Sequence, residues 1–108
     1  MKYNSKHAGN NPEILHKQRR VLDILWSEAQ VTDILEKAGL DRDAADLGDA
    51  LDAVVRSLEL PRTLSEMGIT IDMIPKLSRR ALDDFWAATN PVPLLKAEQV
   101  WEILEMVA

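Results

Sequence analysis

The chain contains no cysteine, only four glycines and only 5% aromatic residues among its 108 positions. Without cysteine there is no disulfide framework, no thiol nucleophile and no thiolate metal site, which suits a reducing compartment and sets cytoplasmic as the expected location. A phosphate-cradling loop needs several glycines in one short turn. Gly9, Gly39, Gly48 and Gly68 lie far apart, so no nucleotide fingerprint is present. No apolar run approaches the roughly 20 residues of a membrane span, and no signal-peptide pattern opens the chain. Histidine is scarce too. His7 and His16 are flanked by Lys6 and Lys17 and lack the i, i+4 spacing of helical metal ligands, so both read as solvated side chains.

What is present is apolar mass: 46% hydrophobic and 29% charged residues. That balance excludes disorder and collagen-like repeats and supports a core. The net charge of −5 is uneven. Residues 1–20 set Lys2, Lys6, Lys17, Arg19 and Arg20 against Glu13, while residues 21–60 carry ten acids against Lys37, Arg42 and Arg56. A nucleic-acid surface needs Lys and Arg in excess over a whole face; a small basic cluster beside an acidic body argues for no nucleic acid and no membrane among the partners.

Apolar spacing is helical throughout. Asn11-Pro12-Glu13 reads as a helix start, with Asn11 as N-cap and Pro12 at the first helical position. Leu15, Val21, Leu22, Leu25 and Ala29, then Val31, Ile34, Leu35 and Ala38, fit one long helix or two that break near Trp26-Ser27. Gly39 reads as the closing left-handed residue. Asp41 is expected to cap a helix with Leu47, Leu51, Val54, Val55 and Leu58 inward and Pro61 as its stop. Thr63-Leu64-Ser65-Glu66 has capping-box spacing for a single turn closed by Gly68. Thr70 or Asp72 opens a helix with Ile71, Ile74, Leu77 and Ala81 inward and Pro75 in its first turn. Phe85 to Pro93 reads as a loop, and Lys96 to Val107 as a final amphipathic helix bearing Val100, Ile103, Leu104 and Val107. Ile69-Thr70-Ile71 is the nearest approach to a strand and is too short for one. The expected fold is all-α, five to six helices, in a single domain over 1–108.

Chemistry-bearing constellations are few. Asp41, Asp43, Asp46, Asp49 and Asp52 resemble a calcium loop only superficially, lacking its sixth-position glycine and twelfth-position glutamate. They read better as a solvated helix face paired with Arg42 and Arg56. Ser27, Ser57, Ser65 and Ser78 have no nucleophile-elbow glycines or nearby histidine and read as helix-surface or capping serines. Trp26 reads as core or core-edge packing and Trp101 as packing or interface. Trp86 stands apart, beside Phe85 in a loop just before a rigid Asn-Pro-Val-Pro turn, where functional side chains concentrate.

Three ordered segments carry a family resemblance: Met1-Lys2-Tyr3-Asn4; Leu58 through Ile69 (Leu-Glu-Leu-Pro-Arg-Thr-Leu-Ser-Glu-Met-Gly-Ile); and Ala88-Thr89-Asn90-Pro91-Val92-Pro93-Leu94. Together with the closing helix they resemble the C-terminal end of the iron-containing alcohol dehydrogenases, including the maleylacetate reductase branch. Lys17 through Glu28 looks like the fungal members. The resemblance implies an all-helical domain that normally faces an NAD(P)-binding α/β domain, with iron or zinc held by one aspartate and three histidines. Those ligands precede the tetrapeptide matching residues 1–4, so neither His7 nor His16 takes a ligand role, and cofactor and metal are expected outside this chain. The resemblance places Phe85, Trp86, Thr89 and Asn90 at the substrate cleft. Val92 and Leu95 stand where the family commonly has arginine and threonine, which removes any anion-pairing or capping role there.

The leading expectation is a helical piece of such a dehydrogenase, lining a substrate cleft without transferring hydride alone. The expected partners are the missing nucleotide-binding domain or a second copy in a homo-oligomer. The alternative is a repurposed helical module, acting as a non-redox enzyme or small-ligand binder through Asp83 and Asp84, for which a cavity centred on Trp86 would speak. A third is a pure interaction module.

Overall fold

A computed structural model of the chain describes residues 1–9 and 11–108. Among the described residues there are helices and no strands: α1 (Lys2–Lys6), α2 (Pro12–Ser27), α3 (Ala29–Lys37), α4 (Leu47–Ser57), α5 (Ile74–Ala81) and α6 (Ala97–Glu105), with short 3-10 turns at Ser65–Met67, Ile71–Met73 and Phe85–Thr89. The all-α expectation is met. By contacts the chain divides into two compact units, Met1–Leu60 and Pro61–Ala108.

In the first unit, Asn11 caps α2 by accepting the Glu13 N–H at 3.2 Å, with Pro12 at the first helical position. The apolar run breaks into two helices at Glu28, whose extended ψ of 115° turns the chain. Thr32 Oγ1 donates to the Trp26 carbonyl at 2.8 Å across the break. The α3 terminus closes on Gly39 at φ 76°, with Gly39 N–H bonded to Glu36 O and Leu40 N–H to Leu35 O, the double bond of a Schellman end. Leu22, Trp26, Leu35, Leu47, Ala50 and Ala53 form the core, with Leu25, Val31, Ile34 and Leu40 against it.

The α4 register differs from the sequence expectation in two ways. Its cap is Asp46, not Asp41: Asp46 accepts the Asp49 N–H while Asp49 accepts the Asp46 N–H, a reciprocal pair. Asp41 instead organises the preceding turn by accepting the N–H groups of Asp43 and Ala44. The buried stripe is Leu47, Ala50 and Ala53, whereas Leu51 and Leu58 are exposed. Small alanines let α2 and α3 approach closely, and the larger leucines fall outside that seam. In α2, likewise, Ile14 is buried, while Leu15 and Val21 are exposed.

Helix α1 was not foreseen. Tyr3 buries itself there, Ser5 donates to Gln18 at 2.8 Å, and Lys2 crosses the start of α4. A Cβ on Gly48 would lie 2.6 Å from Lys2 Cγ, so the glycine makes room for the lysine stem. The Lys2 ammonium reaches Asp49 at 2.5 Å. Lys2, rather than Arg42, is thus the cation that meets the head of the acidic run, while Arg56 pairs with Asp52 at 2.8 Å as expected.

In the second unit α5 packs on α6, with Ile74, Ser78 and Val100 buried. Thr63 Oγ1 accepts the Glu66 N–H at 3.2 Å and Gly68 closes the turn at φ 74°, as the spacing predicts. The Glu66 carboxylate reaches back one residue further, to the Arg62 N–H. Thr70 precedes the next turn, Pro75 sits in the first turn of α5, and Ile71 is exposed rather than inward. The α6 start is closed by Gln99 Oε1, which accepts the N–H groups of Leu95 and Lys96. Val107, at its far end, is exposed.

Among the described residues, two buried side-chain polar atoms have no hydrogen-bond partner, Trp26 Nε1 and Ser78 Oγ. Ser27 and Ser57 are helix-surface serines bonding back to the carbonyls of Ile24 and Val54. Ser78 corrects its expectation, because it is fully buried: of the expected stripe Ile71, Ile74, Leu77 and Ala81 only Ile74 is buried, and Ser78, one helical turn on, joins it.

Candidate functional site

The segment foreseen as a loop is a 3-10 turn held at both ends. Asp84 accepts the Trp86 N–H at 3.0 Å, and Ala87 N–H bonds back to Asp84 O. At the far end Thr89 Oγ1 donates to Trp86 O at 2.8 Å. Asn90 Nδ2 donates to Val92 O at 2.6 Å, folding the Asn-Pro-Val-Pro turn on itself. Leu94 N–H returns to Ala87 O, and Gln99 Nε2 reaches Pro93 O from α6. The rigidity therefore comes from side chains that substitute for regular ladder bonds.

All four foreseen residues lie on this one turn, and their roles divide. Thr89 and Asn90 spend hydrogen bonds on the backbone and shape the turn. Phe85 and Trp86 stack on each other with ring centroids 4.4 Å apart and planes at 34°. They remain 71% and 63% exposed. Such a tilted pair is a preorganised flat apolar ledge that can receive a planar or alkyl group, and its exposure exceeds what packing within the second unit requires.

The acid–base alternative has little here. Asp84 is a cap, and Asp83 lies 3.5 Å from Arg80 in an exposed ion pair. A half-open cavity of about 320 Å³ is lined by Leu64, Ser65, Ile69, Thr70, Ile71 and Ile74, and Trp86 is not part of its lining. Sequence reasoning missed this cavity; the signal was Ile69-Thr70-Ile71, an apolar stretch fitting neither a helix nor a strand.

Electrostatics are local. The Lys2 ammonium beside Asp49 holds that carboxyl below its ordinary range, helped by the Asp46 backbone N–H. The same hydrogen bond raises the Lys2 ammonium, with Asp46 and Asp52 adding to it against some desolvation. Lys17 lowers the exposed Glu13 in the same way. The ring of His7 lies against Tyr3 at 4.5 Å. Among the described residues no three His, Cys, Asp or Glu side chains converge as metal ligands would, and no helix is long and apolar enough to cross a membrane.

No family model and no solved structure matches the chain. Two curated proteins do. Dehydrogenase ALT3 of Alternaria alternata is 32% identical over 104 residues, 96% of this chain and 26% of that protein. Dehydrogenase FUM7 of Gibberella moniliformis is 32% identical over 108 residues, 100% of this chain and 25% of that protein. The chain is thus similar along its whole length to fungal dehydrogenases and spans about a quarter of the length of each.

Proposed function

We propose that these residues form the helical C-terminal part of an iron-type, NAD(P)-dependent alcohol dehydrogenase of the maleylacetate reductase kind. They supply packing and one wall of the substrate cleft and do not transfer hydride alone. The observation that carries this reading is the end-to-end similarity to a quarter of two dehydrogenases. Hydride transfer needs a bound nicotinamide and a polarised carbonyl. The glycines here are too scattered for a phosphate loop, and the donors present do not fit a metal: His7 lies against Tyr3, and the acidic side chains of α4 are engaged as caps and ion pairs. Nicotinamide and metal belong to the part of the enzyme outside these residues.

Within the cleft, Phe85 and Trp86 would present the apolar surface, while Thr89, Asn90 and Asp84 hold the turn that carries them. Titrating NADH and NADPH against the tryptophan fluorescence of the chain tests the main claim. No saturable change is expected, and saturable binding overturns it. In the assembled dehydrogenase, Trp86→Ala is expected to raise KM for the carbonyl substrate and leave that for the nicotinamide unchanged. Equal shifts in both, or in neither, remove Trp86 from the cleft.

A further inference from the structure

Between Leu64 and Ile74 the sequence places six large apolar side chains, Leu64, Met67, Ile69, Ile71, Met73 and Ile74, and only two charges. Of the six, Ile74 alone is buried, while Ile71 is 73% and Met67 63% exposed. Both charges are tied down locally: Glu66 accepts the Arg62 N–H, and Asp72 accepts the Thr70 hydroxyl. The segment is nevertheless ordered. Met67 and Ile69 N–H both return to Leu64 O, Met73 N–H to Thr70 O, and Leu64 N–H reaches Val107 O at 2.7 Å beyond the end of α6. Around the cavity of about 320 Å³ this makes a preformed apolar face whose lining includes neither charge. Monomers rarely leave such faces in water. Few charges together with exposed isoleucine and methionine is the composition of an interface core.

About three-quarters of each fungal relative has no counterpart in these 108 residues, which supplies a specific occupant. We propose that the Leu64–Ile74 face docks against that remaining part of the dehydrogenase chain, through Ile71 and Met67, its most exposed apolar side chains. This rests on the proposed function and adds the surface through which the pieces join.

Co-expression of the tagged chain with a relative's chain lacking only the matched segment tests both levels. The wild-type chain is expected to retain that shortened dehydrogenase. Ile71→Asp and Met67→Asp are expected to lower retention about tenfold or more, since a charge left unpaired in an interface core costs at least that factor. Their helical circular dichroism should be unchanged, because both positions are exposed. Ile24→Asp, an equally apolar and exposed site on α2, should retain the partner fully. Retention that survives Ile71→Asp and Met67→Asp overturns this surface and leaves the dehydrogenase reading standing. No retention by the wild-type chain overturns both. A homodimer of the chain alone that Ile71→Asp dissociates puts a second copy on this face and overturns the proposal.

Discussion

Two helices of the first unit end in the same backbone device with different residues at its critical position. Gly39 closes α3 at φ 76°, and Glu59 closes α4 at φ 55°. Each donates its N–H to the residue three before it, Glu36 or Arg56, and the next residue reaches five back, to Leu35 or Val55. A residue with a Cβ in this left-handed region costs about 1–2 kcal/mol relative to the right-handed one. A carboxylate at a helix C-terminus adds about 0.3 kcal/mol or more of unfavourable dipole interaction. Against this, glycine loosens the unfolded chain by about 0.4–1 kcal/mol. Glu59→Gly is therefore expected to stabilise the protein by roughly 1 kcal/mol, a rise in Tm of about 4–8 °C. Gly39→Ala should cost a similar amount. A Cβ there meets nothing within 4 Å, so the loss is conformational rather than steric. Urea unfolding followed by far-ultraviolet circular dichroism, with unchanged m-values, gives both numbers. Destabilisation by Glu59→Gly, or a neutral Gly39→Ala, would refute the backbone argument.

Ser78→Ala removes a fully buried hydroxyl that has no partner, so it is expected to be neutral or to stabilise by up to about 1 kcal/mol; a clear loss in the same urea assay would reveal a bond that the geometry does not contain. Leu35→Ala opens a cavity in the first core and should cost about 2–5 kcal/mol, read as an early midpoint in urea unfolding followed by circular dichroism. The Lys2–Asp49 pair should matter only within a pH window. Asp49 is lowered on folding, so its contribution is present above its unfolded value near 3.8 and fades as pH falls through the folded one. Lys2 is raised, so its contribution is complete below 10.5 and fades as pH rises through the folded value. Lys2→Met keeps the stem over Gly48 and should lower stability by less than about 1 kcal/mol at pH 7, because the pair is half-exposed. The difference from wild type should shrink at both pH extremes and in high salt; a pH-independent difference would assign the effect to packing.

Helix boundaries were legible wherever one residue type has one physical use. Asn11-Pro12, Gly39 and Thr63 with Gly68 each do what the spacing predicts, because capping depends on a few neighbouring atoms. Which apolar residues face inward was less legible. Leu51 and Leu58 outrank Ala50 and Ala53 in hydrophobicity, yet the alanines are buried, since close helix approach selects small side chains and no local pattern announces it. The α4 cap lies five residues beyond the expected Asp41, at Asp46, because Asp41, Asp43 and Asp46 are all competent caps and tertiary packing chooses among them. Lys2 over Gly48 pairs residues 46 apart in sequence, a contact that periodicity cannot reveal.

The same distinction governs the candidate site. The Asn90 turn is legible in the sequence, whereas Asp84 and Thr89, read there as a candidate acid or base and a cleft residue, prove to be turn formers whose side chains bond within three residues of themselves. The Trp86 backbone takes the bonds of Asp84 and Thr89, while the rings of Phe85 and Trp86 stand outside that scaffold and stack on each other. Two adjacent aromatic rings held 4.4 Å apart and left in water forgo burial that rings of this size ordinarily obtain. Three separate side-chain bonds and a return from α6 keep the turn in that shape. The turn is thus fixed before anything binds, so contact with the ledge would require little further ordering of this backbone. A surface fixed in this way fits the cleft wall proposed for it, whose facing side would lie outside these residues and would supply the burial that the second unit does not give the two rings.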